Sequence, residues 1–523
     1  MPQPLDILVL ADLHFVGAAE HACPLPARQV RLGQLLMRKA LWRLKHLGIT
    51  PGLIVLLGDM VDDGDQPGAD ADLTTLAGEA LKTGIPVLAV PGNHDGDSGR
   101  VARIFGCPPG IHLVGDYAFL LFHDRRLQGE RFERPADQLD LPARAAAAYP
   151  DRPLIALQHY PLDPDIPDPY PFLLANRDAI MDGYRDAGVQ LSLSGHYHAG
   201  QSLHVVDGVR YVTAPALCEA PFRFLHVRLE GHDVRVTEHA LRMDVPDLLD
   251  AHCHTELAYC ATTVNLADDI RLAQALGVKT LCLTEHAFQL YFPKDVAWSF
   301  KWQIDPSLAQ TVWATPARGR MAAYRGLAAG FRSPTVRAGL EVDLCADGSL
   351  LLAPEDAAAD WDVLIAGIHE VTGFQKGVTS QTDAEVMFMR DVQRFLEHPI
   401  DVLAHPFRFF ARKGLRKPEH LYPAMAEMLA AKGVAAEINF HTNEPEPAFF
   451  RTCAERGVRI ALGSDSHELS EVGEFAPHLR VLAEAGVAPG DFPRVLFRPR
   501  TFNAKRSTLN AQGQALATSL FER

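Results

Sequence analysis

Short runs of leucine and β-branched residues recur along this chain, and most of them end in aspartate, asparagine, glutamate or histidine. An apolar run of four to six residues, too short for a helix, is the signature of a strand buried on both faces. In the first half such runs fall at 6–11, 53–57, 86–90, 154–157 and 189–194, with helical stretches between several of them. Strands alternating with helices predict a layered α/β fold. Loops at the carboxyl ends of such strands converge, so chemistry-bearing residues far apart in sequence can share one site.

From 202 to 240 the pattern changes to brief alternating strands at 203–206, 210–213 and 224–229, joined by turns such as Asp207-Gly208. These predict an antiparallel edge that closes the first domain. The segment 242–247, with Pro246, then precedes a new apolar run, which places a boundary near 245 and two domains at 1–245 and 246–523. In the second half strand-like runs at 280–283, 338–342, 363–366, 401–403, 435–438 and 459–462 alternate with helical stretches at 383–397 and 423–431. That repetition predicts a parallel barrel or an open parallel sheet.

Five motifs end the strands of the first half: Asp12-Leu13-His14, Gly58-Asp59, Gly92-Asn93-His94-Asp95, Gln158-His159 and Gly195-His196-Tyr197-His198. Taken singly each is a turn or a hydrogen-bonded histidine; taken together they form a metal-ligand set. Their order resembles the calcineurin-like metallophosphoesterase superfamily. The resemblance implies a four-layer α/β/β/α sandwich with two metals. Asp12, His14, Asp59 and His198 would hold one, and Asp59, Asn93, His159 and His196 the other, with Asp59 as the bridge. It also implies that His94 stabilises or protonates the leaving oxygen, with Asp95 as its orienter. A bridging carboxylate suits two cations roughly 3.5–4 Å apart that polarise a phosphoryl oxygen and activate a water. Mixed Asp, Asn and His donors suit manganese, iron or zinc.

The second half carries Asp250-Ala251-His252-Cys253-His254, Glu285-His286, Glu341, His369, His405 and Ser464-Asp465-Ser466-His467. Two apart on a strand, His252 and His254 point the same way, while Cys253 points away. The set resembles the polymerase-and-histidinol-phosphatase (PHP) family over most of 248–505, which implies a distorted (β/α)7 barrel with two or three metals. By the resemblance His252, His254, Glu341 and Asp465 form one site, Glu341, His369 and His405 a second, and His286 and His467 belong to a third. Cys260 departs from the family, standing where histidine or aspartate is usual; it is either a thiolate ligand or a small buried cysteine. Arg408, close to His405, could clamp a phosphate. The aromatics of 288–313 read as a loop-like insertion that either packs onto the domain or stacks a nucleobase.

A net charge of −15 opposes general nucleic-acid binding, which needs surplus lysine and arginine. The eight cysteines show no paired spacing, which suggests a reducing, cytoplasmic setting, and no run is long enough to span a bilayer. The expected reaction is phosphoric ester hydrolysis on small substrates, a phosphodiester at the first site and a phosphomonoester at the second, in sequence. The alternatives are a nuclease or repair enzyme, and a scaffold with one inactive domain. Oligomeric state is left open.

Overall fold

The computed structural model describes residues 2–17, 23, 25–128, 131–163, 172–314 and 319–499. Its contacts divide the chain into two compact units, Met1–Arg242 and Met243–Arg523. The last stretch of the PHP resemblance, 500–505, lies outside the described residues.

The first unit contains a five-stranded and a six-stranded sheet. In the first sheet the order is Asp233–Ala240, Arg223–Glu230, Leu5–Leu10, Leu53–Leu56, Val87–Ala89. In the second it is Gln201–Val206, Val209–Thr213, Val189–Ser194, Leu154–Leu157, Tyr117–Leu121, Gly110–Val114. Alternate residues face inward from both: Ile7, Val9, Leu53 and Val55 meet Phe119, Leu121, Ile155, Leu157, Leu191 and Leu193 in one cluster. The intervening residues Ala118, Leu120, Leu154 and Ala156 pack outward on helices Leu141–Ala148 and Arg177–Ala187. Helix Gly33–His46 covers the other face of the first sheet. Burial on both faces explains why these strands read as continuous apolar runs.

The segment 202–240 differs from expectation. It does not form one edge but two hairpins in different sheets. Val209–Thr213 joins the second sheet beside Val189–Ser194, and Arg223–Glu230 joins the first beside Leu5–Leu10. Local alternation specifies a hairpin without specifying which sheet receives it. The turn itself is as the sequence implies, with Asp207 and Gly208 both at positive φ.

The second unit is a parallel sheet of seven strands in sequential order: Leu249–Cys253, Thr280–His286, Val336–Val342, Val363–Ala366, Val402–Leu403, Ala435–Asn439 and Ile460–Gly463. The last meets the first, because Cys253 bridges Ser466 in parallel and the Asp465 N–H donates to the His252 carbonyl at 2.8 Å. A nearly closed parallel barrel results. Residues 288–313 are not a loop but part of four short helices, Ala287–Tyr291, Lys294–Ser299, Lys301–Ile304 and Pro306–Trp313. Phe288, Tyr291, Phe292 and Trp302 are buried there, with Trp302 stacked between Phe288 and Phe292. Trp298 is exposed. No helix among the described residues is long and apolar enough to cross a membrane, and all eight cysteines are free thiols.

Candidate metal centres

In the first unit the five motifs meet at the carboxyl ends of Leu5–Leu10, Leu53–Leu56, Val87–Ala89, Leu154–Leu157 and Val189–Ser194. Asp59 Oδ2 lies 3.4 Å from His159 Nε2 and 3.8 Å from His14 Nε2. Asp12 Oδ1 lies 3.7 Å from His198 Nε2. His159 Nε2 is also 3.1 Å from Asn93 Oδ1 and 3.1 Å from His196 Nδ1. Donor atoms of Asp12, His14 and His198 fall within 4.8 Å of one another, as do those of Asp59, His159 and His196.

Backbone donors aim the carboxylates. Asp59 Oδ1 accepts the His94 N–H at 2.8 Å, and Asp12 Oδ2 accepts the His196 N–H at 3.0 Å. The second nitrogen of each key histidine is likewise fixed. His159 Nδ1 donates to the Leu57 carbonyl at 2.7 Å, leaving Nε2 directed at Asp59, and His198 Nδ1 lies 2.7 Å from Glu219 Oε1. This is how metal-binding imidazoles are held in one tautomer. Glu219 carried no sequence signal.

Asp95 is not the orienter of His94. Its Oδ1 accepts the Met60 and Val61 N–H groups and its Oδ2 the Gly92 N–H, so it ties two strand-end loops together. His94 is oriented instead by the Asp62 carbonyl, 2.6 Å from its Nδ1.

In the second unit Glu341 stands at the centre. Its Oε2 lies 2.5 Å from His286 Nδ1 and 3.5 Å from His252 Nε2; its Oε1 lies 2.9 Å from His405 Nε2 and 3.5 Å from His369 Nε2. Asp465 Oδ1 is 2.9 Å from His254 Nε2 and 3.6 Å from His252 Nε2. Donor atoms of His254, His286 and His467 lie within 4.8 Å of one another.

A ring of carboxylates backs this cluster; Glu285 belongs to the Glu285-His286 motif, whereas Glu437 and Asp343 stand outside the sequence motifs. Glu437 Oε1 is 2.8 Å from His252 Nδ1, Glu285 Oε1 is 3.1 Å from His254 Nδ1, and Asp343 Oδ1 is 2.9 Å from His369 Nδ1. Arg408, expected as a phosphate clamp, is buried and donates to Asp465 Oδ2 at 2.8 Å, so it positions a cluster carboxylate. Cys260 Sγ accepts a hydrogen bond from Gln289 Nε2 at 3.3 Å, and burial pushes its thiol up to about 12.

Three observations fit these residues to bound cations. First, Asp12 Oδ1, His14 Nε2 and His369 Nε2 are buried and make no hydrogen bond, which is costly for polar atoms inside a protein. Second, each central carboxylate packs directly on a glycine: a Cβ on Gly92 would lie 2.2 Å from Asp59 Oδ1, and one on Gly367 2.4 Å from Glu341 Oε1. Third, Asp12, His14, Asp59, His196, His405 and Asp465 all have φ between 33° and 66°. Left-handed backbone at non-glycine residues costs about 1–3 kcal/mol each and collects at functional sites.

Residues 5–200 match the family model for calcineurin-like phosphoesterases. A probable phosphatase of Clostridium novyi is 25% identical over 241 residues, covering 44% of this chain and 82% of that protein. A probable histidinol-phosphatase of Deinococcus radiodurans is 26% identical over 266 residues, covering 46% and 94%. A cAMP/cGMP dual specificity phosphodiesterase of Mycobacterium tuberculosis is 26% identical over 226 residues, covering 42% and 69%. Carboxylate-centred donor sets at strand ends and this kinship lead to one conclusion: residues 5–200 are a calcineurin-like phosphoesterase domain, and the chain is a metal-dependent phosphoric ester hydrolase.

Proposed function

We propose that the chain is a bifunctional phosphoesterase whose first site opens a small nucleotide-like phosphodiester and whose second site removes phosphate from the resulting monoester. The observation that carries this reading is that each unit has its own cluster of buried donors around one carboxylate, Asp59 in the first and Glu341 in the second. Relatives named as a cyclic-nucleotide phosphodiesterase and a histidinol-phosphatase support the two chemistries. The second domain would then be a PHP domain, and the free thiols fit a reducing cytoplasm.

In the first site Asp12, His14, Asp59 and His198 would hold one cation and Asp59, Asn93, His159 and His196 the other. In the second, Glu341 would bridge the His252–His254–Asp465 group and the His369–His405 pair, with His286 and His467 available to a third ion. Bound manganese, iron or zinc would supply Lewis acidity and an activated water. The chain's own residues do the rest. His94, its Nδ1 held by the Asp62 carbonyl, keeps Nε2 for the leaving oxygen. The carboxylates behind His252, His254 and His369 keep each Nε2 directed inward.

Site-specific variants test the reading. With a cyclic or linear nucleotide diester, wild type should release inorganic phosphate. Glu341→Gln should accumulate the monoester, and Asp59→Asn should leave the diester intact. Full diesterase activity in Asp59→Asn would sink the first assignment, and unchanged phosphate release in Glu341→Gln the second.

A further inference from the structure

The rim of the second cluster holds a strained loop that the donor set does not account for. It follows strand Ala435–Asn439 and contains Thr442 at φ 49°. Left-handed backbone at a β-branched residue is a genuine outlier, so the surrounding structure must hold it there. The restraints are visible on both sides. The His441 ring stacks on His467 with centroids 4.3 Å apart, and its Nδ1 lies 2.7 Å from Glu471 Oε1. Glu471 Oε2 in turn accepts the His467 N–H at 2.7 Å. The His441 carbonyl accepts from Arg408 at 3.3 Å, and Asn443 Nδ2 donates to the Asn439 carbonyl at 3.1 Å.

This bracing delivers one group. Thr442 Oγ1 accepts a hydrogen bond from Arg412 Nη2 at 2.6 Å. Arg412 lies one turn beyond Arg408 on helix Arg408–Lys413, so the two leave the same face. Arg408 is buried against Asp465, whereas Arg412 is exposed. Desolvation and the neighbouring Arg408 charge pull the Arg412 guanidinium down to about 10, against the smaller opposing effects of Asp465 and Glu341. With Nη2 turned to Thr442, the other edge of its planar fork still carries N–H groups suited to two phosphoryl oxygens at once.

We propose that Arg412 is the phosphate-binding residue of the second site and that Thr442 is the positioning residue that aims it. This rests on the reading of that cluster as a phosphomonoesterase centre. The substrate class is a dianionic phosphomonoester, received with its phosphoryl oxygens between Arg412 and the metal-binding side chains. Arg408, already committed to Asp465, fixes the carboxylate and the loop instead.

The test uses the full chain carrying Asp59→Asn, loaded with manganese. Its metal content is measured by mass spectrometry, its affinity for inorganic phosphate by calorimetry, and its steady-state kinetics with p-nitrophenyl phosphate. Arg412→Ala should weaken phosphate binding by roughly 10- to 100-fold, the loss of a charge-assisted pair. KM should rise by a similar factor, with metal content unchanged and kcat nearly so. Arg412→Lys should recover only part of the loss, because an ammonium cannot fork. Thr442→Ala should move phosphate affinity and KM the same way by a smaller factor, and Thr442→Ser should restore them. Phosphate affinity within twofold of the parent in Arg412→Ala, with metals in place, overturns the proposal alone. A second cluster that takes up no metal in the parent overturns the phosphomonoesterase reading and the proposal with it.

Discussion

Asp269 offers a stability test that is independent of catalysis. It lies on helix Leu266–Ala275, is fully buried, and neither carboxylate oxygen makes a hydrogen bond. Burial, reinforced by Glu256, Asp268 and Asp250, raises its pKa from 3.8 to about 9. Between those values the folded chain keeps a proton that the unfolded chain has released. Stability is therefore greatest below the unfolded pKa and falls as pH rises towards the folded one. One proton corresponds to about 1.4 kcal/mol per pH unit, hence about 3 kcal/mol between pH 6 and pH 8. Asp269→Asn keeps the shape and cannot ionise, so its stability curve should lack this slope. For a unit of this size the two proteins should diverge by roughly 6–12 °C in Tm over that interval. Tryptophan fluorescence isolates the relevant unit, since Trp298, Trp302, Trp313 and Trp361 lie in the second and only Trp42 in the first. Saturating manganese in both proteins cancels metal linkage in the difference. Parallel curves from pH 6 to pH 8 would refute the argument, because they would mean that Asp269 ionises without penalty.

Three further outcomes follow from the second cluster and its counterpart. Glu437 accepts from His252 Nδ1, the His405 N–H and Asn439 Nδ2, so Glu437→Gln must turn an N–H2 group towards a donor. Metal titration should show about 10- to 100-fold weaker binding in the second unit, and unchanged affinity would deny Glu437 its role. Gly367→Ala and Gly92→Ala place a methyl group against Glu341 and Asp59 respectively; each should lower metal content in its own unit while circular dichroism stays that of the wild type. Cys260→Ala should remove about one metal per chain if the thiolate is a ligand, with Cys260→His restoring it; equal content in all three proteins would make it a structural cysteine.

The donor set was legible because its members terminate continuous apolar runs, where chance rarely places so many histidines and carboxylates. The carboxylates behind it were harder to find. Glu285 stands within the Glu285-His286 motif and Glu437 lies inside the buried strand Ala435–Asn439, whereas Glu219 and Glu471 sit on loops where acidic residues are ordinary. Arg408 and Asp95 carry the right chemistry for the roles expected of them, but the Asp465 partner of Arg408 lies 57 residues away and the Met60 and Val61 partners of Asp95 lie 35 and 34 residues away, where only the fold reveals them. The helices within 287–313 were missed although Asp305-Pro306 is a helix-start pair, with the Asp305 side chain accepting the Ser307 N–H.

The six left-handed donors bear on how such a protein could be engineered. At Asp12, His14, Asp59, His196, His405 and Asp465 a glycine would relieve backbone strain and delete a proposed ligand in the same step. Stabilisation and turnover are thus opposed at these positions. A library selected only for resistance to heat or protease, with metal withheld, should accumulate glycine and asparagine there. Its most frequent winners would then trace both donor clusters without a substrate ever being supplied.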